Sequence, residues 1–408
     1  MATITGGGNT FTLNVGSNDA NGIAINLTNI LSAALAAGTL VATNTPTVNP
    51  ASGAGLAVLS ATGQIVSLAP KVTSAIINTS GGFVTVVGGG GAGQNYISNT
   101  TTNLVLQTGG GTGAVVTGDA AALLATPTSG GGSFSFATGT GNDTILAQTG
   151  TNTVAAGLGN NVIFTGNATD VIVSTGNDII SGIGGGAGLT DTVSGGAGND
   201  LIGEGAKNLV FTGGTGSSIV LTAGGSDTIT IGSGGGIFGG GLAGGNVLTT
   251  GLTGSSTIFG GGSGDVLTAR GSSSNLLAAG AGNETLTGAG STGNNIFFTG
   301  PGSTVITDGS GSDVVFMGLG ASTINGGAGA DLFAIIAGRS GGSVLLNNFT
   351  ASDRVTLGGY GPGEVAADIA AAKAVSVGGV ASTQITLSDK TTITFTGLTS
   401  LNQNNNFI

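Results

Sequence analysis

The stretch Gly195-Gly196-Ala197-Gly198-Asn199-Asp200-Leu201-Ile202 returns later as Gly326-Gly327-Ala328-Gly329-Ala330-Asp331-Leu332-Phe333, both following G-G-x-G-x-D-x-U with U apolar. Looser copies run between and around them, among them Gly139-Thr140-Gly141-Asn142-Asp143-Thr144-Ile145, Thr175-Gly176-Asn177-Asp178-Ile179-Ile180, Gly282-Asn283-Glu284-Thr285-Leu286 and Gly309-Ser310-Gly311-Ser312-Asp313-Val314-Val315. So short a repeat constrains the fold strongly. A unit of about nine residues cannot bury its own apolar side chain and must stack on copies of itself.

The position two residues after each turn acid stays apolar even where the acid is missing. Steps of roughly nine give Ile145, Val154, Ile163, Ile172, Ile180, Val193, Ile202, Val210, Val220, Ile229, Phe238, Leu248, Ile258, Leu267, Leu277, Leu286, Phe297, Ile306, Val315, Ile324 and Phe333. The period survives where the acid has become Asn161, Asn275 or Asn295. Each unit therefore reads as a Gly-rich turn, with φ > 0 positions expected at the glycines, followed by a short strand carrying one inward apolar residue. Two units make a coil, and coils pair their strands about 4.8 Å apart. The expected fold is all-β, a parallel β-roll with a β-rich N-terminal domain and a strand-rich C-terminal cap.

Charge divides the chain into three zones: residues 1–130 hold two acids and one base, 131–338 twelve and two, and 339–408 four of each. The expected domains follow these boundaries: an N-terminal assembly domain, the roll itself, and a cap. The net charge of −11 with only seven Lys and Arg argues against nucleic acid or an anionic membrane as partner and in favour of cations. A mean hydropathy of +0.42 would suit a membrane protein, but the longest apolar stretch, around Leu31 to Ala42, is too short to span a bilayer. No transmembrane segment is expected. The chain has no Cys and no His, which excludes disulfides, thiolate or imidazole metal sites and every catalytic triad that needs them. Gly338-Arg339-Ser340-Gly341-Gly342 matches a G-x-S-x-G elbow only formally, since no His can activate the serine. No enzyme activity is expected.

The acids fall on turns, and alternate turns share an edge of the prism. Asp170 should lie over Asp191, Asp178 over Asp200, Asp265 over Glu284 and Asp313 over Asp331. Stacked carboxylates repel, and an oxygen-seeking cation completed by backbone carbonyls converts that repulsion into coordination. Calcium, which accepts six to eight oxygens in flexible geometry, fits better than magnesium. The candidate metal ligands are Asp143, Asp170, Asp178, Asp191, Asp200, Asp227, Asp265, Glu284, Asp313 and Asp331. Ser218, Gly236, Ser256, Thr304 and Ser322 occupy the acid position elsewhere, so several ions are expected, not a full row. The alternative is that Asp and Asn favour Gly-rich turns in their own right; recurrence in register argues against it for the set.

These nonapeptides resemble the RTX (repeats-in-toxin) calcium-binding β-roll family over about residues 139–408. The tail resembles that family's C-terminal cap and uncleaved secretion signal: Asp331-Leu332-Phe333, then Asn348-Phe349-Thr350-Ala351-Ser352-Asp353-Arg354-Val355-Thr356-Leu357, then Thr383 to Phe395. The resemblance implies export by a type I secretion machinery that reads the C-terminus ending Asn406-Phe407-Ile408, and folding outside the cell in calcium. The start Met1-Ala2-Thr3-Ile4-Thr5-Gly6 has neither a basic region nor an apolar core, as this route would have it. RTX proteins usually join the roll to an effector domain, and none is visible here.

Residues 1–130 contain strand-like runs at Phe11–Val15, Phe83–Val87 and Leu104–Leu106 and a helix-compatible stretch from about Ile23 to Ala42. Apolar residues near Val105, Val115, Leu124 and Phe134 keep a similar spacing, so the roll could start near residue 100. A nearly uncharged β-rich surface invites association, which makes self-association the expected partner interaction. The reading is a secreted, calcium-binding, self-assembling structural protein of a surface layer, filament or biofilm matrix. The alternative is an adhesin or other binding module, including an ice-binding solenoid. A Thr ladder would favour the last, but Thr does not recur at one position of every nine-residue unit.

Overall fold

The computed structural model describes residues 2–6, 9–13, 23–43, 45–79, 81–98, 101–182, 184–339 and 342–408. It divides into two compact units, Met1–Lys207 and Asn208–Ile408, and each is a parallel β-solenoid. Of the G-x-S-x-G segment, Ser340 and Gly341 lie outside the described residues, as do Asn14 and Val15 of the first strand-like run.

In the first unit successive strands alternate between two parallel sheets. One stacks Val72–Ile77, Gln94–Ser98, Gly113–Val116, Phe134–Ala137, Thr153–Ala155, Val171–Val173 and Thr190–Ser194. The other runs from Gln64–Ser67 to Leu201–Glu204. Parallel stacking reaches back to Leu40–Thr43 on Ala54–Leu59, well before residue 100. These first coils carry no turn acid, so the motif that marks later coils is absent from them. The helix-compatible stretch is a helix only over Ile23–Ala36, ending where Leu40–Thr43 turns to strand. Its Leu27, Leu31 and Leu35, spaced to share one helical face, pack with Ile4 on Leu56, Ile76, Ile97 and Val116. The helix thus covers the first coils of its own unit, and Ala2–Gly6 pairs antiparallel with Asn9–Leu13 beside it.

The second unit repeats the alternation. One sheet runs from Asn208–Thr212 to Ser343–Asn347, the other from Ser218–Thr222 to Arg354–Gly358. A meander closes the end: Thr392–Thr396 adds parallel to Ser343–Asn347, and Val380–Thr386 and Lys373–Val377 follow antiparallel. Phe349, tilted against Phe333 at 5.8 Å, meets Phe395 edge-on at 5.2 Å, and Phe395 meets Phe407 at 6.1 Å. Aromatic rings thereby shield the open end of the core column. Ile408 donates its N–H to Val355 O at 3.0 Å, so the last residues belong to this cap.

The inward column holds the apolar residues expected, all buried, with one exception: Val210 is 37% exposed while Leu209 and Phe211 face in. Phe211 registers with Ile229, placing it in the column. Val105 likewise faces out, and Leu106 registers with Leu124. Both slips fall in runs of three consecutive apolar residues, where a period of two cannot say which faces inward.

Some turn glycines, among them Gly150, Gly264 and Gly329, have the expected positive φ, and others do not. Gly159, Gly176 and Gly198 are not at positive φ; a Cβ on each would overlap the carbonyl oxygen of Gly141, Gly159 and Gly176 respectively, one coil earlier. Close approach of stacked backbones selects glycine there, not a left-handed turn.

Two outward faces of the second unit are distinctive. Thr212, Thr230, Thr249, Thr268, Thr287 and Thr307 occupy one register position in six successive strands of one sheet. A Thr ladder therefore exists, spaced every second nonapeptide because consecutive units go to opposite sheets. On the other sheet Ile219, Leu221, Ile237, Phe259, Ile296 and Phe298 point out, each more than a third exposed.

Candidate cation sites in the turns

Every one of the twelve acids between residues 131 and 338 is buried, none more than 5% exposed. Carboxylates are almost never fully buried unless paired or metal-bound, because each desolvated charge costs several kcal/mol. Among the described residues, the only base buried with them is Lys207.

The expected stacking is present. Asp170 donates its backbone N–H to Asp191 Oδ1 (2.9 Å), Asp178 to Asp200 Oδ1 (3.2 Å) and Asp313 to Asp331 Oδ1 (2.8 Å), while Glu284 sits in register with Asp265. The pattern extends to the other acids and to asparagine. Ala122 N–H reaches Asp143 Oδ1, Asp143 N–H reaches Asn161 Oδ1, and Asn161 N–H reaches Asp178 Oδ1. In the second unit Leu209, Asp227 and Asn246 donate in turn to Asp227, Asn246 and Asp265. One side-chain oxygen per turn thus caps the strand-opening N–H of the previous coil, a task Asn performs as well as Asp.

The second side-chain atom separates the two residue types. Asn152 Nδ2 donates to Gly150 O at 2.8 Å, Asn275 Nδ2 to Ser273 O at 2.9 Å and Asn295 Nδ2 to Gly293 O at 3.0 Å, each a carbonyl two residues upstream. A carboxylate at that position presents an acceptor where the amide presents a donor. Accordingly Oδ2 of Asp170, Asp200 and Asp331, and Oε2 of Glu284, have no hydrogen-bond partner. Other turns satisfy the second oxygen: Ser174 Oγ donates to Asp178 Oδ2 (2.6 Å), and Gly261 N–H to Asp265 Oδ2 (2.7 Å).

At Asp170 the upstream carbonyl, Ala168 O, is taken by a cation that belongs to the chain. Lys207 Nζ lies 3.2 Å from Ala168 O and 3.2 Å from Thr165 Oγ1 and pairs with Asp191 Oδ2, using all three of its N–H donors. The site is shaped for it. A Cβ on Gly185 would strike the Lys207 stem at 2.8 Å, and one on Gly182 would overlap the Glu204 carboxylate. Glu204 is held well above the usual carboxylate range by burial and by the charge of Asp191, with Lys207 pulling the other way.

Elsewhere burial dominates. It raises Asp143, Asp170 and Asp331 to about 6 and Glu284 to about 7, and raises Asp178, Asp200 and Asp227 too. Neighbouring carboxylates add to it: Asp191 at Asp170, Asp353 and Asp313 at Asp331. Oxygen donors of carboxylates and carbonyls, with no His or Cys in the chain, form a set suited to a hard cation such as calcium.

The structure adds four residues to those expected. Asp353 continues the ladder beneath Asp331, its Oδ2 held by Thr350 N–H at 2.7 Å. Glu204, Lys207 and Asp308 sit inside coils, where motif matching does not look. Glu204 and Asp308 both lie two residues after a column residue (Ile202, Ile306), a position that otherwise holds small or uncharged residues such as Ala147, Ser174 and Gly288. That break in an eighteen-residue register was the available signal.

The chain matches no protein-family model, and no curated protein is significantly similar to it. No helix among the described residues is long and apolar enough to cross a membrane.

Proposed function

We propose that the chain is a calcium-stabilised structural protein, exported and folded outside the cell, that self-assembles into a surface layer, filament or matrix. The observation that carries this reading is the burial of twelve carboxylates against one buried lysine, with the free second oxygens of Asp170, Asp200, Asp331 and Glu284 standing where asparagine would place a donor. Without cations those turns carry uncompensated buried charge; with calcium supplied only outside the cell, folding is confined to that side. The resemblance of the nonapeptides to RTX repeats and of the tail to a type I secretion signal supports the location. Lack of His and Cys supports a role without catalysis.

Self-association is favoured by the outward Ile, Leu and Phe residues of the second unit. Electron microscopy in chelator and in millimolar calcium tests the proposal. Ordered sheets or filaments only with calcium are expected, and dispersed particles in both conditions would overturn the assembly claim.

A second reading rests on the Thr ladder. Six hydroxyl and methyl groups at the strand spacing cover roughly 24 Å in one regular row, a surface suited to an ordered lattice of water or sugar hydroxyls. Ice-recrystallisation and crystalline-polysaccharide pull-down assays separate it from the first: activity lost when Thr249 and Thr268 become Lys would establish a binding module.

A further inference from the structure

Asp308 ends the strand Thr304–Thr307 and points into the coil beside Asp313 and Asp331, with one oxygen of each within 4.8 Å of the others. All three are buried, at 4%, 1% and 2% exposure. Each carboxylate has one oxygen anchored by a backbone N–H: Gly309 on Asp308 Oδ1 (2.8 Å), Asn295 on Asp313 Oδ1, and Asp313 on Asp331 Oδ1 (2.8 Å). Apart from the contact between Asp308 and Asp313, Oδ2 of each has no partner. The Asp308 side chain also hydrogen-bonds to Asp313, so three anchored, buried carboxylates crowd within reach of a single ion.

We propose that Asp308, Asp313 and Asp331 together bind a single hard divalent cation, calcium before magnesium, more tightly than the turns that offer only stacked ladder acids. The inference rests on the cation reading above and deepens it: Asp308 lies outside the turn motif and supplies a third negative ligand from the strand end. The first unit contains an internal counterpart. Glu204 holds the same inward position, and there the positive charge is Lys207, covalently part of the chain. Among the described residues no lysine or arginine is buried beside Asp308, so a cation there must come from solution. Three charged ligands in a preorganised site raise calcium affinity over two. Oxygen-only ligation and room for carbonyl ligands favour calcium over the strict octahedron of magnesium.

Calcium titration calorimetry of the full chain, wild type and Asp308→Asn, tests this, together with melting curves of both in chelator and in calcium. The wild type is expected to show a tightest site that Asp308→Asn weakens at least about tenfold or removes. The melting shift should depend on calcium: Asp308→Asn melts close to wild type in chelator, where the amide can keep the hydrogen bond to Asp313, and lower than wild type in calcium. Asp308→Gly guards against a folding defect, since Gly288 and Gly326 hold the equivalent place one coil before and after. Isotherms of both variants matching wild type, or a destabilisation equal in chelator and calcium, overturn the proposal while leaving the other turns as calcium sites. A wild type that takes up no calcium overturns this proposal and the cation reading alike.

Discussion

Replacing Lys207 by Met removes a buried cation while keeping nearly the same stem, and so isolates its charge. Wild-type Lys207 is fully buried and bonded to Asp191, Thr165 and Ala168. Removing one partner of a buried ion pair typically costs about 3–5 kcal/mol, because the remaining carboxylate is left desolvated and uncompensated. Two acids, Asp191 and Glu204, are left here, which places Lys207→Met at the upper part of that range in chelator at pH 8. Asp170 loses a favourable charge too. The loss should depend on pH. Folding raises the Glu204 carboxyl, so its ionisation opposes the fold: stability is full below the unfolded value near 4.5 and falls as pH rises through the folded one. Lys207 lowers that folded value, so removing it deepens the loss at high pH and leaves less effect at pH 5. Calcium should partly restore the variant by occupying the space vacated by the ammonium. Hydrogen exchange of strands Val162–Thr165 and Thr190–Ser194, with urea unfolding followed by circular dichroism at pH 5 and 8, reads all three effects. Protection unchanged in chelator at pH 8 would falsify the view that these turn interiors require a positive charge.

Other outcomes follow from the same geometry. In chelator the melting temperature should rise as pH falls from 8 to 5, because Asp143, Asp170 and Asp331 near 6 and Glu284 near 7 shed unfavourable charge on protonation; saturating calcium should abolish or reverse the trend, and a flat chelator profile would contradict it. Gly176→Ala should cost about 1–3 kcal/mol through overlap with the Gly159 carbonyl, and a variant as stable as wild type in urea would show that the coils separate easily. Phe395→Ala should cost about 3–5 kcal/mol and speed hydrogen exchange mainly in Ser343–Asn347 and the cap; protection loss spread evenly over the second unit would show that its coils unfold as one.

The period of the apolar residues determined a great deal by itself. A short unit with one large apolar side chain has no stable arrangement except stacking, so parallel solenoid, inward column and in-register acids were all legible, from Ile145 to Phe333. The same local signal failed at Leu209-Val210-Phe211, where neighbours across the sheet decide which face turns inward. It failed also before residue 100, where coils are held by apolar strands and a covering helix, with no acid to mark the turn. The role of Gly159, Gly176 and Gly198 was hidden because it lies in contact with the neighbouring coil, not in the backbone angles of their own. Most of all, sequence placed ten acids on turns but could not say that all would be buried, that asparagine would serve as their amide counterpart, or that Glu204 and Asp308 would join them from strand ends. Lys207 is 39 residues from Ala168 and 16 from Asp191. Such a pairing exists only once the coils are stacked, because register across coils, not distance along the chain, sets which charges share a dry interior.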